Sequence, residues 1–248
     1  MFPETQKKRF DAAAEEYLLQ IRQDPQVIGV IFSGSYVHAK LGPHSDIDVM
    51  VITHPSMTDR ERGNTWINGV EIEYFQNPPQ QIRAYFERET YRPVTAHMLA
   101  NGIVRHDIHP EVQAILTEAK TIVAQIPEAW SSFKQEFARY GLDDLRKDLL
   151  DCQAMEDLIS GRLLAFQLIE ECIQVYFGMS RQWGEKKKRL MGFLRKSNPD
   201  LSQILQEAIG ATDFDQQVQK TILLVEYMET LLGGRRADEW QLKSPLDC

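Results

Sequence analysis

Residues Ser45 to Ile52 alternate so that Asp46 and Asp48 leave one side of an extended chain while Ile47, Val49 and Val51 leave the other. One face of this strand is acidic and the opposite face is core. Ahead of it, Val27-Ile28-Gly29-Val30-Ile31-Phe32 is a run of β-branched and aromatic residues that predicts a buried strand, and the chain turns directly after it on Gly34-Ser35. Such a turn can set backbone N–H donors against a phosphate. A short helix fits between the two strands. Further on, Ile67-Asn68-Gly69-Val70 carries the Asn-Gly signal of a tight hairpin and starts a third strand, Val70 to Phe75, in which Val70, Ile72 and Tyr74 alternate with Glu71 and Glu73.

This pattern brings three or four carboxylates from two strands toward one place, which like-charge repulsion opposes unless cations neutralise them. Mg²⁺ suits the task, because it takes carboxylate oxygens and substrate phosphates while keeping some of its waters. The metal ligands expected are Asp46, Asp48 and a third acid, for which Glu71 and Glu73 share a face and stay in competition.

The segment from Ser33-Gly34-Ser35 through Ser45-Asp46-Ile47-Asp48 to Val51, taken with the Glu73 strand, resembles the nucleotidyltransferase superfamily that includes DNA polymerase beta and the two-lobed antibiotic (aminoglycoside and lincosamide) nucleotidyltransferases. The resemblance implies that Gly34 and Ser35 bind triphosphate, that Asp46 and Asp48 hold two Mg²⁺ ions, and that Glu73 completes the site or serves as base. It also implies an NTP co-substrate, ATP foremost, and a hydroxylated small molecule as acceptor. His38, three residues after Ser35, is a further candidate for a phosphate. The turn departs from the commonest family pattern, with Ala39 where a second glycine is often found and His38 where an Arg is frequent. Two other readings stay open: transfer of a nucleotide to a protein or RNA partner, and a nucleotide-binding regulator without turnover. A helical lobe as large as the one below favours the small-molecule acceptor.

Around these strands the sequence predicts an α+β first domain over residues 1–108. Phe10, Ala14, Tyr17, Leu18 and Ile21 have helical spacing, and Asp24-Pro25 stops that helix before the first strand. Asn77-Pro78-Pro79 opens another helix, with Ile82, Tyr85 and Phe86 toward the sheet; Thr95 to Ala100 forms a short helix and Gly102 to Arg105 a last strand. Beyond Pro110 only helical patterns remain, so residues 109–248 are expected to form an all-α bundle; the resemblance to the two-lobed antibiotic enzymes implies that this lobe helps to shape the acceptor pocket and contributes a carboxylate to it. Met155, Leu158, Ile159, Leu163, Phe166, Ile169, Ile173 and Phe177 form one apolar stripe, and Phe214, Val218, Ile222, Val225, Met228 and Leu232 another; both are read as bundle core, the second ending at Gly233-Gly234. Asp143, Asp144, Asp148, Asp151, Glu156 and Asp157 are the carboxylates this lobe could offer to an acceptor, unranked.

A net charge of −8 argues against a duplex nucleic-acid partner. From Arg181 to Lys196 seven cations face the single acid Glu185, a run that reads first as a solvated helix face and second as an anion site. Arg83, Arg88, Arg92 and Arg105 are candidates for either a phosphate or a surface ion pair. His38, His44 and His54 lack zinc spacing, as does His106-x-x-His109. Cys152, Cys172 and Cys248 are too scattered for a disulfide framework. With no signal-peptide or membrane-span pattern, the expected location is the cytoplasm. Exposed helix faces leave room for a homodimer.

Overall fold

The computed structural model describes residues 4–38 and 41–243; Ala39, Lys40 and Cys248, which figure in the sequence reading, lie outside them. Helix α1 (Glu4–Ile21) leads to strand β1 (Val27–Ser33), and a single turn, α2 (Gly34–Val37), separates β1 from β2 (Ile47–Thr53). Then come β3 (Glu61–Ile67), β4 (Val70–Asn77), α3 (Pro79–Arg88), α4 (Val94–Ala100), β5 (Ile103–Asp107) and α5 (Pro110–Ala124). The strands make one mixed sheet in the order β3-β4-β2-β1-β5. β2 pairs with β4 in parallel, while β1–β2, β1–β5 and β3–β4 are antiparallel.

Each face of the sheet is covered by a separate apolar layer. Val30, Phe32, Ile47, Val49, Val51 and Ile72 pack with Phe10, Ala14 and Tyr17 of α1. Ile31, Met50 and Ile52 pack on the other side with Ile82 of α3, Leu99 of α4 and Val112, Ile115 and Leu116 of α5. The aliphatic half of the β2 alternation thus faces α1, and the half containing Asp46 and Asp48 faces the α3–α5 side. Covering helices reach Met50 and Ile52 there but leave Asp46 and Asp48 half-exposed.

The chain divides into two compact units, Met1–Gln125 and Ile126–Cys248. The sequence-derived boundary at residue 108 falls between β5 and α5, and α5 packs on the sheet. In the second unit α6 (Ser132–Ala154), α7 (Leu158–Met179), α8 (Lys187–Ser197), α9 (Pro199–Gly210) and α10 (Phe214–Leu231) share one core that includes Leu142, Leu149, Leu168, Cys172, Phe177, Leu205, Val225 and Met228. α10 ends as its sequence predicts. Gly233 N–H donates to the Thr230 carbonyl and Gly234 N–H to that of Glu229, with both glycines at positive φ.

The stripe beginning at Met155 does not behave as one core face. Met155, Ile159 and Leu163 are 77%, 78% and 67% exposed, and the buried side of α7 is instead Ala165, Leu168, Ile169, Cys172, Val175, Tyr176 and Phe177. Two features of the chain account for this. Met155 caps α6, Glu156 takes a left-handed conformation at φ 56°, and Asp157 caps α7 by accepting from Ser160 N–H, which sets Met155 apart from α7. Ile159, Leu163 and Phe166 belong to α7 itself but lie on the side of it opposite Ala165, Leu168 and Cys172. Among the described residues, no helix is long and apolar enough to cross a membrane.

Candidate active site

The two-residue turn at Asn68-Gly69 sets the register of everything beside the acidic strand. With Ile67 opposite Val70, counting back places Trp66 opposite Glu71, Asn64 opposite Glu73 and Arg62 opposite Phe75. On its other edge β4 sets Glu73 directly beside Asp48, and β2 in turn sets Asp48 beside Ser33 of β1. A row Asn64–Glu73–Asp48–Ser33 therefore crosses four strands on one face of the sheet. Residues opposite one another in such a ladder have their Cβ atoms about 5 Å apart, so these side chains meet.

Asp46, Asp48 and Glu73 each offer a carboxylate oxygen, and the three oxygens lie within 4.8 Å of one another. Glu71, the rival on the same face, is turned toward the edge strand, where its carboxylate accepts from Asn64 Nδ2 at 2.5 Å. Among the described residues no histidine joins the acidic set. His54 bonds Ser56, His109 caps α5, and His38 and His44 are exposed.

Gly34 presses against the carboxylates from β1. Its φ is +73°, and a Cβ built on it would stand 1.8 Å from Asp48 Oδ2. Only a residue without a side chain lets the turn pass so close to the acid. Ser35 Oγ donates to Ser45 Oγ at 3.4 Å, and Ser45 Oγ accepts from Gly42 N–H at 2.6 Å, tying the loop before Asp46 to the turn after β1. Behind the turn, Tyr36 lies against Phe10 and Phe32 and donates its hydroxyl to Asp11 at 3.0 Å. Burial, then the hydrogen bond to Asp11, pushes this phenol up to about 12. His38 caps the turn at its exposed end.

The donor set fits a hard divalent cation. All three side chains supply oxygen, they come from rigid strands or the residue before one, and their mutual repulsion calls for positive charge. The structure also shows a cation already engaged there, because Arg62 Nη2 lies 2.7 Å from Glu73 Oε1. The hydrogen bond and charge of Glu73, with smaller shares from Tyr85 and Asp48, push the guanidinium up from its ordinary value. Arg62 and Asn64 are absent from the residues the sequence singles out, although the hairpin register contains the signal that finds them.

Other candidates sit in different surroundings. Arg83 pairs with Glu111 and Glu118, and Arg105 with Glu15. In the second unit, Lys187 pairs with Glu170 and Arg189 with Glu185, while Leu190 and Leu194 of the same helix are buried, so the basic run from Lys187 on is the charged side of an amphipathic helix; Arg181, ahead of that helix, donates to the Pro127 carbonyl. Asp143 is buried and contacts Arg146, Lys147, Arg235 and Arg236. Burial alone pushes its carboxyl up, and the four cationic donors outweigh that and hold it well below the usual carboxylate range. Asp157 is a helix cap, and Asp144, Asp148, Asp151 and Glu156 are exposed. Cys172 is buried in the helical core and Cys152 is half-buried.

Residues 14–104, which contain every residue of the site, match the family model described as a nucleotidyltransferase domain. Among solved structures, a nucleotidyltransferase-like protein from Exiguobacterium sibiricum 255-15 is similar with a TM-score of 0.52 and 12% identity, over 92% of this chain and 77% of that one. At that identity the likeness is one of fold. Comparison with the curated proteins finds no match. The chain is thus α+β, with a nucleotidyltransferase fold in its N-terminal region followed by a helical region, and the domain match supports nucleotidyl transfer as the general activity.

Proposed function

We propose that this chain is a Mg²⁺-dependent nucleotidyltransferase that moves a nucleoside monophosphate from an NTP, ATP foremost, to a hydroxyl group of a small molecule and releases pyrophosphate. The observation that carries this reading is the meeting of Asp46, Asp48 and Glu73 within 4.8 Å, against a glycine turn that has no room for a side chain. Asp46, Asp48 and Glu73 would hold two ions, which supply neutralising charge for the departing pyrophosphate and acidify the attacking hydroxyl. Ser35 and the backbone N–H groups of the turn hold the β and γ phosphates, with His38 at its exposed end as a further donor.

The reaction needs an in-line path at the α-phosphorus. A bond forms from the acceptor oxygen to that phosphorus, the bond from phosphorus to the bridging oxygen of pyrophosphate breaks, and the acceptor's proton leaves. Glu73, beside Asp48 and at the open side of the sheet, is the group for the acceptor side, as ligand or as the base that takes this proton. Because β2 and β4 are hydrogen-bonded neighbours, Asp48 and Glu73 keep their spacing without loop rearrangement, which is the preorganisation that charge stabilisation requires.

The test is transfer of label from α-labelled NTPs into pooled hydroxylated small molecules, with pooled protein and RNA as separate arms. Label in a small molecule that disappears in Asp48→Asn supports the proposal. Label only in protein or RNA replaces the acceptor class. Binding of nucleotide without transfer to any pool makes the chain a nucleotide-binding regulator.

A further inference from the structure

Glu73 has a cationic partner at bonding distance, Arg62, and the two partners differ in how firmly they are held. The Glu73 side chain is 28% exposed and springs from an internal strand, whereas Arg62 is 69% exposed on the sheet's edge strand. Arg62 is aimed by two contacts on β4. Its guanidinium lies over the Phe75 ring, 4.8 Å from the centroid, and its Nη2 reaches Glu73 Oε1 at 2.7 Å. Arg83 and Arg105 of the same unit are engaged with Glu111, Glu118 and Glu15. The acid is fixed, then, and the cation beside it is able to leave.

We propose that Arg62 is a built-in counter-cation that occupies Glu73 in the resting site and competes with the divalent metal for that carboxylate. This rests on the metal site of the proposed function. Three carboxylates within 4.8 Å repel one another, and Arg62 offsets one of the three charges before any metal arrives. A metal ion that takes Oε1 of Glu73 displaces the guanidinium, and one that takes Oε2 has the guanidinium as a neighbouring positive charge; both weaken its binding. Arg62 thereby holds the acidic row together without a metal and keeps the free site from binding one tightly. An exposed ion pair of this kind changes an equilibrium by about two- to fivefold, which sets the size of the effect.

The probe is Mn²⁺ alone, without nucleotide, titrated at low ionic strength and followed by the electron paramagnetic resonance signal of the free ion. Wild type, Arg62→Gln, Arg62→Lys and Asp48→Asn are compared, with circular dichroism melts to show that each folds. Arg62→Gln is expected to bind Mn²⁺ about two- to fivefold more tightly than wild type, and Arg62→Lys, which keeps the charge, to stay closer to wild type. The gain is expected to shrink in high salt, because the pair is exposed. Unchanged or weaker binding by Arg62→Gln overturns the counter-cation role; if Asp48→Asn still loses Mn²⁺ in that case, the metal site itself stands. Absence of Mn²⁺ binding in wild type, or binding indifferent to Asp48→Asn, removes the metal site and this inference with it.

Discussion

Replacing Gly34 with alanine should separate the cost of backbone strain from the cost of moving Asp48, to which the proposed function gives a metal. The new Cβ would lie 1.8 Å from Asp48 Oδ2, and ordinary contact begins at 3.4 Å, so one of the two must retreat by the difference, about 1.6 Å. Misplacing a catalytic group by about 1 Å can cost roughly a hundredfold in rate, so a loss of at least that size in kcat is expected. The left-handed φ of +73° adds strain of about 1–2 kcal/mol for a residue with a side chain, or a drop in Tm of about 2–8 °C in a chain of this size. Gly69→Ala is the control. It has nearly the same φ, +70°, but no atom within 4 Å of its would-be Cβ, so it should lose a similar amount of Tm and keep its turnover. Pyrophosphate release and thermal melts on the two variants decide the matter. Turnover by Gly34→Ala within about threefold of wild type, or equal losses of turnover in both variants, would refute the argued contact between the turn and Asp48.

Further expectations concern stability and the cations outside the site. Asp143→Ala leaves Arg146 in a buried position with Glu229 as its acidic partner among the described residues, and breaking a buried ionic contact costs about 3–5 kcal/mol, which calorimetry should register as a fall in Tm of roughly 6–20 °C. The Asp143 carboxyl is held below its unfolded value of 3.8, so its contribution is complete above that pH and is lost as the pH falls toward the folded value. Urea melts at stepped acid pH should accordingly show a steeper loss in wild type than in Asp143→Asn. Arg83→Gln removes partly exposed pairs between α3 and α5; a cost of no more than about 1 kcal/mol with unchanged turnover is expected, and a large loss of turnover with intact folding would return Arg83 to the nucleotide.

The parts of the fold that sequence shows plainly are those where one local signal has one structural solution. The aliphatic run at Val27 is long enough for a central strand and too short for a buried helix; Asn68-Gly69 admits a tight hairpin; and the Asp46/Asp48 alternation assigns each side chain a face. β3 is harder to see, because Glu61-Arg62-Gly63-Asn64-Thr65 lies at the sheet's edge and needs no apolar alternation, so it reads as loop until the hairpin is counted backwards. Arg62 and Asn64 are hidden for the same reason. The competition between Glu71 and Glu73 has no local signal at all, since both share one face; strand order sets Glu73 beside Asp48, and strand order depends on how distant segments pair. The exposed half of the Met155 stripe misleads because α7 has two apolar sides: Ile159, Leu163 and Phe166 have helical spacing just as Ala165, Leu168 and Cys172 do, and periodicity does not say which side the bundle covers. Met155 alone is set apart by the break between α6 and α7, which rests on Glu156 in a left-handed conformation that no Pro or Gly announces.

The most direct test of the account is pyrophosphate release with each of the four ribonucleoside triphosphates, pooled hydroxylated small molecules and Mg²⁺, run in parallel on wild type, Asp48→Asn and wild type with chelator. The account predicts release that depends on acceptor and metal and that vanishes in Asp48→Asn while the variant keeps its fold. Asp48→Asn turning over at close to the wild-type rate with Mg²⁺ would contradict it.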